Sequence, residues 1–220
     1  MPMRRILGIA AAILIAASAF AENTDENNPR RIAIWGSSVA NGTGDELWKG
    51  GYAGRLEELL ESRGWEVFNQ SHPGDNTTTI QSRFEPGDTP DAAARYLTVV
   101  DPDYVVIGLS LGNDGIAQCQ LGQTEGCTRT ATEAEAVFER FASGLQQLIT
   151  RVRAAGMTPV VTLPYARLDF SEREYGFTRR MNLLINSWDV PSVNLLGAID
   201  DGQGRWGRGL WADPFHPNAA

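Results

Sequence analysis

Short apolar runs alternate with amphipathic helical patterns along this chain, and that alternation restricts the fold more than any other feature. Residues 32–35 (Ile-Ala-Ile-Trp) and 104–110 (Tyr-Val-Val-Ile-Gly-Leu-Ser) are continuous apolar runs of the kind found in strands buried on both faces. Residues 65–70, 158–163 and, more weakly, 193–196 read as three further strands. Between them, 49–63 places Tyr52, Leu56, Leu59 and Leu60 on one helical face, with Gly64 as its stop. Residues 132–155 repeat Val137, Phe141, Leu145, Leu148 and Val152 at helical spacing, with Arg151 and Arg153 in the last turn where the helix dipole favours cations. Residues 172–188 gather Met181, Leu184, Ile185 and Trp188 on one face. A short helix or turn is expected at 77–82, and a proline-marked connection with a short helix around 91–99. Strands that alternate with helices predict a mainly parallel sheet covered on both faces. Ligands of such sheets bind at the carboxyl ends of the strands.

The first residues stand apart from this pattern. Arg4 and Arg5 precede an apolar stretch at 6–15, and Ala19-Phe20-Ala21 forms a small-x-small site, so 1–21 reads as a signal peptide cleaved after Ala21. The stretch is short for a membrane span and no stop-transfer pattern follows, so no stable membrane anchor is expected. Residues 22–30 form a polar tail expected to be disordered. Residues 31–220 then suit a single domain of ordinary size. The expected localisation is secreted or periplasmic. Loss of Arg4 and Arg5 takes the formal charge from −8 to −10. That acidity argues against nucleic acid and anionic membranes as partners. The only cysteines, Cys119 and Cys127, suit export as a disulfide closing a local loop. A metal site would need a nearby His or a second Cys pair, so no metal is expected.

Chemistry is concentrated at the strand exits. The first strand stops at Gly36-Ser37-Ser38, which presents the Ser38 hydroxyl at the sheet rim as a candidate nucleophile. Glycines at 36, 42 and 44 have the wrong spacing for a dinucleotide loop. Ala40 stands where a Gly-x-Ser-x-Gly elbow needs its second glycine. The second strand leads into Asn69-Gln70-Ser71-His72-Pro73-Gly74-Asp75, and the third into Leu111-Gly112-Asn113-Asp114-Gly115. Only His72 and His216 could serve histidine chemistry. Asp213 lies three residues before His216, a spacing at which a carboxylate can reach the ring Nδ1 and turn Nε2 toward a nucleophile. His72 has no carboxylate three or four residues before it and reads as a loop side chain, although Asp75 follows three residues later. Trp206, Trp211 and Phe215 suit buried packing or the lining of a cleft.

In this order the blocks resemble those of the SGNH hydrolases, the GDSL-type esterases and lipases. Gly36-Ser37-Ser38 stands at the nucleophile block, Asn69 to Gly74 at the second, Gly112-Asn113-Asp114 at the third and Asp213-Pro214-Phe215-His216 at the last. The resemblance spans about residues 32–218. It implies a three-layer α/β/α, flavodoxin-like sandwich with a five-stranded sheet, and no cofactor. It also implies a catalytic Ser38, His216 and Asp213, with an oxyanion hole from the Ser38 and Gly74 backbone N–H groups and the Asn113 amide. Two positions depart from the pattern. Leu111 stands where the third block usually has a glycine, so a different backbone path is expected there, and Ser37 replaces an acidic residue. Family domains usually continue into a closing helix, so chain beyond Ala220 is expected, with His216 close to a frayed end. The function implied is a secreted serine esterase of small ester groups, such as acetyl esters of carbohydrates. The alternatives are a silent carbohydrate-binding module on the same fold, or an acyltransferase using the same residues.

Overall fold

The computed structural model describes residues 29–91, 93–117, 130–199, 201 and 206–219. The expected signal peptide at 1–21, most of the expected tail and both Cys119 and Cys127 lie outside the described residues.

Five strands form one sheet in the order β2-β1-β3-β4-β5, and every neighbouring pair is parallel. They are β1 (Arg30–Gly36), β2 (Trp65–Asn69), β3 (Tyr104–Gly108), β4 (Thr158–Thr162) and β5 (Ser192–Val193). The helices are α1 (Ser38–Asn41), α2 (Gly51–Leu60), α3 (Ala131–Ala154), α4 (Glu172–Asn186) and α5 (Leu196–Ile199). This is the expected α/β architecture, with one uniformly parallel sheet.

Strand periodicity divides the core in two. Ala33 and Trp35 of β1, Val105 and Ile107 of β3 and Val161 of β4 face one side, where Phe141, Leu145 and Leu148 of α3 and Met181 and Ile185 of α4 cover them. The alternate residues Ile32, Ile34, Val106 and Val160 face the other side against Ala53 and Leu60 of α2. Burial on both faces is why β1 and β3 read as unbroken apolar runs. The two long helices begin at capping boxes. The Thr130 hydroxyl accepts from the Glu133 N–H while the Glu133 carboxylate accepts from the Thr130 N–H, and Ser171 with Glu174 repeats the pattern.

Several boundaries differ from expectation. Leu59 is 44 % exposed, and Ala53 takes its place on the buried face of α2, because Ala53 and Leu60 stack two turns apart while Leu59 is rotated about 100° away. The helix expected around 91–99 is reduced to a 3₁₀ turn at Leu97–Val100 that buries Leu97 in the core. β5 is only two residues long, because Asn194 ends it by accepting the Gly197 N–H on its side-chain oxygen at 2.9 Å and so opens α5.

Phe141 is fully buried at the centre of the larger core. Phe141→Ala is expected to cost about 3–5 kcal/mol in denaturant unfolding. Leu59→Ala, on the exposed side of α2, should stay within about 0.5 kcal/mol of the parent.

Candidate active site

Parallel strands deliver all their following loops to one rim, and three of these loops meet there with the C-terminal segment. Ser38 is the first residue of α1, two residues beyond β1. Its Oγ lies 2.9 Å from His216 Nε2, and His216 Nδ1 lies 2.8 Å from Asp213 Oδ2. The other Asp213 oxygen accepts the backbone N–H groups of Phe215 at 2.7 Å and His216 at 3.1 Å. Three residues of spacing therefore form one closed turn around a carboxylate. Burial would raise the Asp213 pKa, but the His216 ring and these backbone donors outweigh it and hold the carboxyl below its ordinary value.

Rather than fraying, the segment carrying His216 is fastened on both sides. Trp211 and Pro217 form an antiparallel bridge, and the Ala212 N–H donates to the His216 carbonyl at 3.0 Å. The Leu168 N–H donates to the Pro214 carbonyl at 3.0 Å, and the Ala219 N–H to Glu46 at 3.0 Å.

The loop after β2 is anchored from beneath. Asp75 forms a buried ion pair with Arg83, whose guanidinium also donates to the Gln70 carbonyl at 2.7 Å. This pair fixes the chain next to Gly74, whose φ of +88° belongs to the left-handed region that favours glycine. The loop after β3 is stitched to the same segment by two successive residues. Asn113 Nδ2 donates to the Asp75 carbonyl at 2.9 Å. Asp114 accepts the Thr77 N–H at 3.1 Å and also its hydroxyl. Burial raises the Asp114 pKa against the pull of those Thr77 bonds.

Leu111, which stands in place of the usual third-block glycine, turns fully into the core, and tight turns return the chain. The Asn113 N–H donates to the Ser110 carbonyl and the Ile116 N–H to the Leu111 carbonyl. Asn113 thus still reaches a cleft of about 250 Å³ that it lines together with Ser38, Gly74 and His216. His72 is exposed, and Asp75, its nearest carboxylate in sequence, is committed to Arg83.

Other lining residues escape a reading of sequence motifs. Thr43, Pro73, Tyr165, Arg167 and Phe215 complete the cleft. Tyr165 and Arg167 follow β4, so the rule that places ligands at strand exits also points to them. Burial drives the Tyr165 hydroxyl well above its ordinary range. Of the aromatic residues near the end, Trp206 is buried against Tyr165, Phe215 lines the cleft and Trp211 is 36 % exposed. Among the described residues, no group of three or more His, Cys, Asp or Glu is placed to hold a metal ion.

Residues 34–220 match the sequence model of the GDSL-like lipase/acylhydrolase family. No curated protein matches the chain significantly. Among solved structures, a GDSL-like lipase from Bacteroides thetaiotaomicron VPI-5482 superposes with a TM-score of 0.57 at 14 % identity, covering 94 % of this chain and 87 % of that one. An acetyl xylan esterase gives 0.59 at 16 % identity, over 86 % of this chain and 91 % of its own. An acetyl-xylooligosaccharide esterase from Geobacillus stearmophilus gives 0.55 at 14 % identity, over 86 % of each chain. At these identities the likeness is one of fold.

Proposed function

This chain belongs to the GDSL-like lipase/acylhydrolase family and is an ester hydrolase of the SGNH type, and from that premise we propose that it is an exported serine esterase that removes small acyl groups, acetyl above all, from carbohydrate. The observation that carries the mechanism is the continuous contact from Ser38 Oγ through the His216 ring to Asp213. Ser38 attacks the ester carbonyl while His216 Nε2 takes its proton, and the alcohol leaves with that proton as the acyl-enzyme forms. Water then attacks the acyl-enzyme with His216 as base, releasing the acid and restoring Ser38.

The negative charge on the carbonyl oxygen is met by N–H donors. As the first residue of α1, Ser38 has a backbone N–H with no acceptor inside its helix. Gly74 offers a second backbone N–H. Asn113 offers the N–H that its bond to Asp75 leaves over, because an amide nitrogen carries two. Donors fixed in advance need no reorganisation when charge develops.

The restriction to small acyl groups rests on the cleft. At about 250 Å³, with no Leu, Ile, Val or Met lining it among the described residues, it offers little for a long acyl chain to bury against. Two of the matched folds belong to esterases acting on acetylated xylan or its fragments, which agrees with an acetylated sugar as substrate. The Arg4-Arg5, apolar and Ala19-Phe20-Ala21 pattern supports export. The test is a panel of p-nitrophenyl esters of increasing acyl length beside O-acetylated sugars. We expect kcat/KM to be highest for acetyl and to fall steadily by hexanoyl, with acetate released from the sugars. Brisk cleavage of long acyl esters without turnover of any acetylated sugar would overturn the substrate reading.

A further inference from the structure

Among the described residues, Arg167 is the one Lys or Arg side chain lining the cleft, and it is closely held by its neighbours. Asp169 grips it bidentately, accepting from Nε on one carboxylate oxygen at 2.8 Å and from Nη2 on the other. Its guanidinium carbon lies 4.2 Å from the centre of the Phe215 ring and 5.3 Å from that of Phe170. The side chain is only 10 % exposed. A guanidinium clamped by a carboxylate and stacked on aromatic faces loses little freedom when it binds something further.

One edge of this group is left over. Nε and Nη2 are committed to Asp169, whereas Nη1 meets no acceptor among the described residues. Nη1 lies against the loop that carries Asn113: a Cβ built on Gly112 would come within 2.7 Å of it. Glycine at 112 therefore makes room for the guanidinium directly beside a proposed oxyanion donor. Although the side chain as a whole is largely covered, Nη1 is not sealed from solvent, so water or a ligand in the cleft can supply its acceptor.

From this geometry we infer that Arg167 is a specificity-determining residue, whose Nη1 donates to an oxygen on the alcohol portion of the substrate and so selects a neutral, hydroxyl-rich sugar over an apolar alcohol. Asp169 already balances the guanidinium charge, and the whole chain carries −8, so the edge serves better as a hydrogen-bond donor than as an attractor of anions. Phe215, under the guanidinium and at the cleft wall, gives a sugar ring an apolar face beside that donor. The inference rests on the carbohydrate-esterase reading above and assigns its selectivity to one residue.

The test compares kcat/KM for an O-acetylated methyl glycoside with that for p-nitrophenyl acetate, which shares the acyl group but lacks the sugar. In Arg167→Met the ratio of sugar ester to p-nitrophenyl ester should fall at least tenfold, mostly through KM of the sugar ester. Arg167→Lys keeps the charge but loses the planar fork, and should fall part of the way; it also covers the case in which the Met variant does not fold. A ratio unchanged in both folded variants overturns the inference, whether the two activities fall together or stay as they were. Wild-type enzyme that cleaves p-nitrophenyl acetate but no acetylated sugar overturns the carbohydrate reading itself, a failure visible before any variant is made.

Discussion

Ser38→Ala is expected to lower kcat/KM for p-nitrophenyl acetate by roughly 10⁴-fold or more, with the melting temperature close to that of the parent. In the proposed mechanism the hydroxyl supplies the bond that forms with the acyl carbon, and among the described residues no other hydroxyl is hydrogen-bonded to His216 Nε2 to replace it. The remaining slow reaction would come from water acting in a cleft that still holds its N–H donors. Because the proposed mechanism makes Ser38 and His216 act as a unit, the Ser38→Ala/His216→Ala double variant should be hardly worse than either single one. Multiplied losses in the double variant would mean that the two side chains act independently. Full activity in Ser38→Ala would remove the proposed mechanism.

What could be read in the sequence follows the range of the interactions involved. β1 and β3 were legible because burial on two faces writes itself as an unbroken apolar run. The face of α3 was legible because Val137, Phe141, Leu145, Leu148 and Val152 all point into one core. Its start lay one residue earlier than expected, although Thr130-x-x-Glu133 was there to be seen as a capping box. Asp213 and His216 were legible as a pair because three residues of spacing suffice for a turn. The meeting of His216 with Ser38 spans 178 positions and could be expected only through family resemblance.

The fastening of the site was not legible. Asn113 on the Asp75 carbonyl and Asp114 on Thr77 join the loops after β3 and β2. These loops are brought together by the sheet order, which places β1 between those strands. No local pattern encodes that order. Leu111 shows the same limit: a departure from the family glycine could be seen, but not that the core would take its side chain and leave Asn113 in the cleft.

Asp213→Asn should have the second large effect, a loss of about 10²–10⁴-fold in kcat with less change in KM. In the proposed mechanism the carboxylate, 2.8 Å from Nδ1, accepts from it and holds the proton there, so that Nε2 stays open to take one from Ser38. An asparagine can turn its NH₂ toward Nδ1, which favours the other tautomer and closes Nε2 as a base. The loss should be smaller than for Ser38→Ala, because the Asp213 side chain is 39 % exposed and water can take part of its place. The pH dependence separates this role from simple structural support. The carboxyl is held below its ordinary value, so its contribution to stability is complete above the unfolded-state value, near 3.8, and fades as the pH falls through the lower folded one. Melting temperatures of parent and Asp213→Asn should therefore differ most at neutral pH and converge in acid. The deficit in kcat, by contrast, should persist throughout the neutral and mildly alkaline range, because the wild-type carboxylate is fully ionised there. A kcat equal to the parent's at pH 7–8 would show that His216 finds its working orientation without Asp213, and the Phe215 and His216 backbone N–H groups would then be that carboxylate's whole purpose.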